Sequence, residues 1–449
     1  MSSNTFEVLP SAKRLIKSLR DMGYDFTQAV ADIIDNSIEA KATKIVIDLE
    51  FDGDNSWVRI ADNGRGMKPE EVREAMRFGS DREYDQEALG KFGLGLKTAS
   101  MSQCQRFSVA SRWNPDRADI AAYCWDLEHI EKTNRWEILS VDRDSLGPSS
   151  IYPLQTSIGT VVLWQRLDRI LGYKKPYGEM ARKKLSQLCR ELEVHLSMVF
   201  HRFLSGEGFR KITIFVNGNK LTPWDPFCRS EQKTLEIKPL TFDVDNEGTI
   251  GEVTLQPYIL PHQEDFSSPD AFRAASGPHN WNQQQGFYIY RAGRMIQSGG
   301  WSGLRTADEH TKLARIAITF SPKLDEAFKI NVAKMRVQLP SSIREEVNKA
   351  VAALTKQARE RYDKKTPKNN SSITGVKGVT VSRFGGGGSV THVDISDLAV
   401  GSGQRSDGVS VNDIERIAIQ VAESHEKPVV RSVFKRVRQY YKEKTQSGL

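Results

Sequence analysis

One stretch limits the possible folds more than any other. It is FTQAVADIIDNSIEA, residues 26–40, followed at once by two short apolar segments. Phe26, Val30, Ile33, Ile34 and Ile38 recur at helical spacing, which predicts a helix with a core-facing stripe. Asp32, Asp35, Asn36 and Glu39 fall on the other side and predict a polar face. KIVIDLE (44–50) and WVRIA (57–61) run apolar or alternate, and both read as strands. The second strand ends directly in Asp62, so a carboxylate stands at a strand mouth. Pro69 then opens a short helix that Gly79 can close.

The rest of the chain continues this α+β alternation. Strands are expected near 106–111, 119–126, 135–140 and 160–164, then a long helix over 176–203. Leu185, Leu188, Leu192, Leu196, Val199 and Phe203 form its apolar stripe. These elements make up a first domain, residues 1–206. A second, 207–363, opens on KITIFVNGNKL, where Asn217-Gly218 is a two-residue hairpin signal. Further strands are expected near 250–260, 286–291 and 315–320. Pro340 precedes a last helix, with Ser342 and Glu345 at capping-box spacing, running to about 363. Residues 364–410 are rich in Gly, Ser and Asn and read as a flexible linker. Short helices are expected over 411–424 and 430–444, within a basic segment 411–449.

Composition narrows the function classes. The 449 residues are 39% hydrophobic and 27% charged, with no apolar run of membrane-spanning length. The N-terminus has no apolar signal core, so the expected compartment is the cytoplasm. Cys104, Cys124, Cys189 and Cys228 form no Cys-x-x-Cys pair, which disfavours zinc ribbons and thioredoxin chemistry. Formal net charge is +7, concentrated at the end: residues 426–449 carry seven Lys or Arg against Glu426 and Glu443. Such an end can meet phosphate backbones, or be a solvated helix face.

Three segments carry chemistry: Asp32 to Asn36, Asp62-Asn63-Gly64-Arg65-Gly66-Met67, and Gly90-Lys91-Phe92-Gly93-Leu94-Gly95-Leu96-Lys97. Nucleoside triphosphate hydrolysis needs a metal on the phosphates, a positioner for water, and donors around the γ-phosphate. Asn36 offers a neutral oxygen to Mg2+, and Asp32, one turn earlier, can hold a water. Asp62 can accept from an exocyclic amine such as adenine's, while Gly64 and Gly66 let the backbone turn tightly beside a base. Gly93 and Gly95 precede a helix whose free N–H groups can meet phosphate oxygens, and Lys91 and Lys97 add positive charge. The arrangement is not a P-loop: Gly90-Lys91 is followed by Phe92, and Asp85 stands where the first glycine belongs. Nor is it a dinucleotide fingerprint, because Thr98 occupies the third glycine position after Gly93 and Gly95.

In this order the segments resemble the GHKL ATPases, which include gyrase B subunits, ninety-kilodalton heat-shock chaperones, histidine kinases and MutL. The resemblance covers about residues 10–360. It implies a Bergerat fold, a mixed sheet covered by helices on one face, followed by an α/β transducer domain. The Asn36 helix matches the family's N box; Asp62, Gly64 and Gly66 match the adenine-binding box; Gly90 to Lys97 match the second glycine box at the end of the ATP lid. Gly159-Thr160 matches the last box, where the Thr supports the adenine-binding Asp. One position departs: the hydrolysing subfamilies carry Glu where this chain has Asp32, one methylene shorter, which implies slow turnover. FKINVAKMRVQLP (328–340) resembles the MutL transducer segment whose lysine reaches the γ-phosphate, here Lys334. HLSMVFHRFL and VNGNKLTPWDPF resemble the prokaryotic MORC-like branch related to MutL.

The resemblance implies an ATPase that uses ATP and Mg2+ and works as a nucleotide-gated homodimeric clamp. Its expected partner is double-stranded DNA, with a separately encoded nuclease or helicase, in a bacterial restriction or anti-phage setting and without a membrane. A protein remodeller like the heat-shock chaperones is the alternative. So is an ATP-dependent scaffold with little hydrolysis.

Overall fold

The structure is a computed structural model that describes residues 8, 10–21, 24–79, 94–246, 248–330 and 337–365, with 381–382, 392–393 and 434. The chain divides into two units, Met1–Pro367 and Lys368–Leu449. In the second, the described pairing is antiparallel, Val381–Ser382 with His392–Val393.

The first unit begins with helix α1 (Ala12–Arg20) and helix α2 (Phe26–Glu39). Asp25 caps α2, its carboxylate accepting from Gln28 N at 2.8 Å. Strands β1 (Lys44–Glu50) and β2 (Trp57–Asp62) follow, then α3 (Pro69–Ala75) and α4 (Gly95–Gln103). Next come β3 (Arg106–Arg112), β4 (Ala121–Asp126), α5 (Leu127–Thr133), β5 (Leu139–Ser140), α6 (Pro148–Thr156) and β6 (Gly159–Gln165). The long helix α7 (Glu179–Val199) ends at Phe200, and α8 (His201–Ser205) continues beyond that break.

Strands β1 to β6 join β7 (Thr213–Val216) and β8 (Asn219–Lys220) in one sheet of order β5-β4-β3-β6-β2-β1-β7-β8. The sheet is mixed: β1 pairs β7 in parallel, and the other neighbours are antiparallel. The hairpin around Asn217-Gly218 forms as expected, but it completes the edge of this first sheet. The reason is apolar: Ile214 and Val216 are buried beside Ile45 and Ile47 of β1.

Helices α1, α2 and α7 and the buried side of α4 cover one face, in a core with Ile45, Ile47, Val58, Ile60 and Trp164. Helix α6 packs Ile151 and Leu154 on the opposite face, against Ala61, Ala110, Val161 and Leu163. Strand β6 is therefore covered on both sides, which is why GTVVLWQ runs apolar instead of alternating. Helix α2 departs from the expected polar face. It lies between the sheet and α4 and α7, so Asp32 and Asp35 are only 3% and 1% exposed.

A second sheet holds β9 (Leu235–Glu236), β10 (Leu240–Asn246), β11 (Thr249–Ile259), β12 (Gly286–Arg291), β13 (Arg294–Ser298) and β14 (Ala314–Phe320). Its order is β10-β11-β14-β12-β13, with β9 on β11 and β12–β14 parallel. Helices α9 (Pro269–Ala275) and α10 (Trp281–Gln284) precede β12. Helix α11 (Arg344–Lys365) buries Val347, Val351, Leu354 and Ala358 in this sheet's core. Ser342 lies in a 3-10 turn, Ser341–Ile343, so α11 starts after the expected cap. The two sheets meet at α8. His201 Nε2 and Tyr290 Oη are 2.8 Å apart, and the Arg202 guanidinium sits 3.6 Å from the Tyr290 ring centre.

Candidate nucleotide site

The Asp62 carboxylate is placed first by strand pairing. Asp62 ends β2, and antiparallel register sets it opposite Thr160 at the start of β6. Its Oδ1 accepts from Gly64 N at 2.8 Å and its Oδ2 from the Ser37 hydroxyl at 2.9 Å. Burial pushes the Asp62 carboxyl above its ordinary value, while the bonds from Gly64, Ser37 and the Thr160 backbone pull it back. Thr160 shares a 3.0 Å hydrogen bond with Ser111, whose hydroxyl also lies 2.8 Å from Gly159 O and accepts from Met67 N at 2.9 Å. Ser111 thus ties β3, β6 and the turn after Asp62 together. Gly66 within that turn has φ +71°, and a Cβ there would stand 2.1 Å from Arg112 O. Only glycine fits.

Asn36 lies on α2, exposed, one residue before Ser37. One amide oxygen is too few ligands for Mg2+, which keeps water or phosphate oxygens for the rest of its shell. Among the described residues no cluster of three His, Cys, Asp or Glu stands ready for a metal. Asn36 therefore fits a metal carried in on phosphates. Gly95, at the start of α4, stands over the Asp32 carboxylate: a Cβ there would be 4.0 Å from Oδ2. The second glycine segment is thus brought near Asp32 at Gly95. Gly90, Lys91, Phe92 and Gly93 lie outside the described residues, as does Lys334.

Lys97 departs from the expected phosphate-facing position. It is 2% exposed, and its Nζ donates to Ala75 O at the end of α3 at 3.0 Å. Burial brings its ammonium down to about 8, with Glu74 working the other way. That bond anchors α3 to α4.

Asp32 itself is held from two sides. Tyr24 Oη donates to Oδ2 at 2.9 Å, and Arg294 Nη1 donates to Oδ1 at 2.9 Å. The same Nη1 meets Asp35 Oδ2 at 2.7 Å. At i,i+3 on α2 the two carboxylates share one side. Burial raises the Tyr24 phenol far above its ordinary range, reinforced by the Asp32 charge, so it stays a donor. Burial works against the Arg294 charge, but Asp35 and Asp32 outweigh it and raise its affinity for the proton. Sequence reasoning missed Tyr24, Ser37, Ser111 and Arg294. Ser37 could have been found as the neighbour of Asn36. Arg294 is 262 residues from Asp32 and leaves no local signal.

The profile of histidine kinase-, DNA gyrase B- and HSP90-like ATPases matches residues 24–160, the stretch that carries this geometry. Residues 24–160 belong to the GHKL ATPase superfamily. The DNA mismatch repair protein MutL of Haemophilus influenzae (strain PittGG) is 26% identical over 219 residues, 48% of this chain and 30% of that protein. MutL of Histophilus somni (strain 2336) is 24% identical over 254 residues, 53% of this chain and 37% of that protein. Protein MICRORCHIDIA 1 of Arabidopsis thaliana is 24% identical over 195 residues, 41% of this chain and 30% of that protein. The match spans about a third of each relative's length. The GHKL domain here is of the MutL- and MORC-like kind, and its mixed sheet under α1, α2, α4 and α7 is a Bergerat architecture. No described helix is long and apolar enough to cross a membrane.

Proposed function

We propose that the chain binds ATP with Mg2+ and hydrolyses it slowly as a nucleotide-gated homodimeric clamp on double-stranded DNA. The observation that carries the reading is the Asp62 cradle. A carboxylate held by Gly64 N is also bonded to Ser37, the immediate neighbour of Asn36 on α2, in a chain whose relatives are MutL and a MORC protein. In this reading Asp62 and Thr160 receive adenine, and Gly64, Gly66 and Met67 line the base. Asn36 would hold Mg2+, which would neutralise phosphate charge, while the backbone N–H groups at the start of α4, from Gly95, would meet the phosphate oxygens. Asp32 orients the attacking water, Lys334 senses the γ-phosphate, and the second sheet with α11, in the part of residues 207–363 that follows β8, acts as the transducer. The basic segment 411–449, beyond the linker, adds phosphate-backbone contacts. A separately encoded nuclease or helicase is the proposed recipient of the closed state, with restriction or anti-phage defence as the setting.

The test is the oligomeric state by light scattering with and without a non-hydrolysable ATP analogue, beside a calorimetric titration. The wild type should bind at micromolar to millimolar analogue and move from monomer to dimer; Asn36→Ala should do neither. A wild type that takes up no ATP in this range ends the proposal.

A second reading, an ATP-dependent scaffold that hardly hydrolyses, is favoured by one observation. Both oxygens of the carboxylate expected to orient water are already engaged, Oδ1 by Arg294 and Oδ2 by Tyr24. Phosphate release under saturating ATP separates the two readings.

A further inference from the structure

We propose that the chain carries a second ligand site, separate from the Asp62 cradle, that takes an apolar organic anion. The site is a cleft bounded by α7, the start of α2 and the turn that joins α9 to α10. The inference goes beyond the ATPase reading and does not rest on it.

The cleft has a volume of about 1010 Å3, and none of Asn36, Asp62, Gly64, Gly66 or Thr160 lines it. That volume holds a drug-sized ligand or a larger one. One wall is a stripe along α7: Lys184, Leu188, Glu191, His195 and Met198 recur every three or four residues and share one side of the helix. Phe26, which opens α2, and Tyr24 before it add apolar surface. Pro278 and His279 reach the cleft from the α9–α10 turn. Val194, beside the stripe, is 48% exposed there. Apolar side chains around a water-filled cleft favour an apolar body in it.

The charged groups decide the ligand's polar end. Each lining carboxylate is already engaged. Asp21 pairs with Arg169 at 2.7 Å. Asp25 accepts from Gln28 N at 2.8 Å and from the Thr27 hydroxyl at 2.9 Å. Glu191 accepts from Gln187 at 2.7 Å. The Arg20 guanidinium is held by Asp168 at 2.7 Å. Among the described residues, Lys184 and Arg190 have no such partner, so two cations are left over. His195 adds a polar group without charge: its Nε2 is buried with no hydrogen-bond partner, and burial brings its proton affinity down to about 4. A buried nitrogen left unpaired is costly, and a ligand oxygen would satisfy it. Apolar walls, two unpaired cations and one unpaired imidazole nitrogen fit an apolar body that carries a carboxylate, sulfonate or phosphate group.

The experiment titrates the full chain with two fluorescent probes. Anilinonaphthalene sulfonate is an aryl body with one sulfonate; phenylnaphthylamine is the same body without it. The proteins are wild type, Val194→Trp, and Lys184→Glu combined with Arg190→Glu, with a thermal melt of each to check folding. The sulfonate probe should saturate at one site per chain, and the neutral probe should bind about tenfold more weakly, the combined worth of two solvent-exposed ion pairs. Val194→Trp fills the cleft and should remove the saturable signal of both probes. The charge reversal should weaken the sulfonate probe by about tenfold or more and leave the neutral probe within about twofold.

A competition arm separates this inference from the ATPase reading. Excess non-hydrolysable ATP analogue should leave the sulfonate signal unchanged. Displacement by the analogue would put the probe in the nucleotide cradle and overturn the second site, while the ATPase reading stands. A saturable signal in a protein that takes up no ATP supports the second site and ends the ATPase reading. The inference is overturned by the absence of saturable binding, by a signal that survives Val194→Trp in the folded variant, or by a charge reversal that leaves the sulfonate probe as tight as before.

Discussion

At the scale of single residues, the Asp62 carboxylate works as an acceptor whose partners are already chosen. Ser37 and Gly64 N occupy one oxygen each of Asp62, and both donate, so the group must be ionised and stay an oxygen. Asp62→Asn puts an amide donor against one of these donors. ATP affinity should fall by roughly tenfold or more, the cost of a mispaired buried polar group, as read by calorimetric titration. The acid side of binding follows from the same burial. Asp62 is raised above its ordinary 3.8, so its charge is present at high pH and lost as pH falls through the raised value. Affinity should therefore weaken at a higher pH than an ordinary carboxylate would dictate; a titration flat down to pH 4 would contradict this. Gly66→Ala places a methyl where Arg112 O already stands, in a left-handed backbone. A lower thermal midpoint, by about 1–2 kcal/mol or more of strain, and lost ATP binding are expected together.

At the scale of elements, α7 gives a stability prediction. His195 on its flank is held down to about 4 by burial, and His201 just beyond is held down to about 4 for the same first cause. Both are neutral in the folded chain, and both charge near 6.5 when it unfolds. The folded state then binds fewer protons than the unfolded one, so stability is full above 6.5 and drains as pH falls toward 4. The loss is on the order of 2–3 kcal/mol per histidine at most, and His195→Gln should remove its share in denaturant titrations at pH 7 and 4.5. Elements such as β1, β12 and α2 were legible because their apolar periodicity is local and strong. Helix α6 was not: PSSIYPLQT carries a proline at 153 and no apolar stripe, and its burial comes only from the β-face it meets. The Asn217-Gly218 turn was legible as a turn, but a turn does not say which sheet receives its strands. For the site, Asp62, Gly64, Gly66, Asn36 and Asp32 could be read because each sits in a short segment of suitable composition. Arg294 could not, since only the docking of the second sheet brings it to α2.

At the scale of the whole molecule, the proposed clamp makes two demands. ATP analogue must convert monomer to dimer, and duplex DNA binding must carry a salt slope set by the phosphates neutralised. Removing residues 426–449 takes away seven Lys or Arg. The slope of log affinity against log salt should flatten by nearly one unit for each phosphate left without its cation, in gel shifts run from 50 to 200 mM salt. An unchanged slope would move the DNA surface elsewhere in the chain. ATP-driven dimerisation should survive this truncation, because Asn36 and the Asp62 cradle lie within residues 36–160.

The parallel seating of β7 on β1 has a practical corollary for dissecting the protein. A fragment cut after residue 206 contains α1 through α8 yet lacks the strands that finish its sheet. Lys44 to Ile47 would become an open edge, with Ile45 and Ile47 robbed of Ile214 and Val216. Such a fragment should self-associate irrespective of nucleotide, and its dimers would say nothing about gating. One that runs past Leu221 keeps the edge closed and gives an ATP-binding half whose oligomeric state can be interpreted.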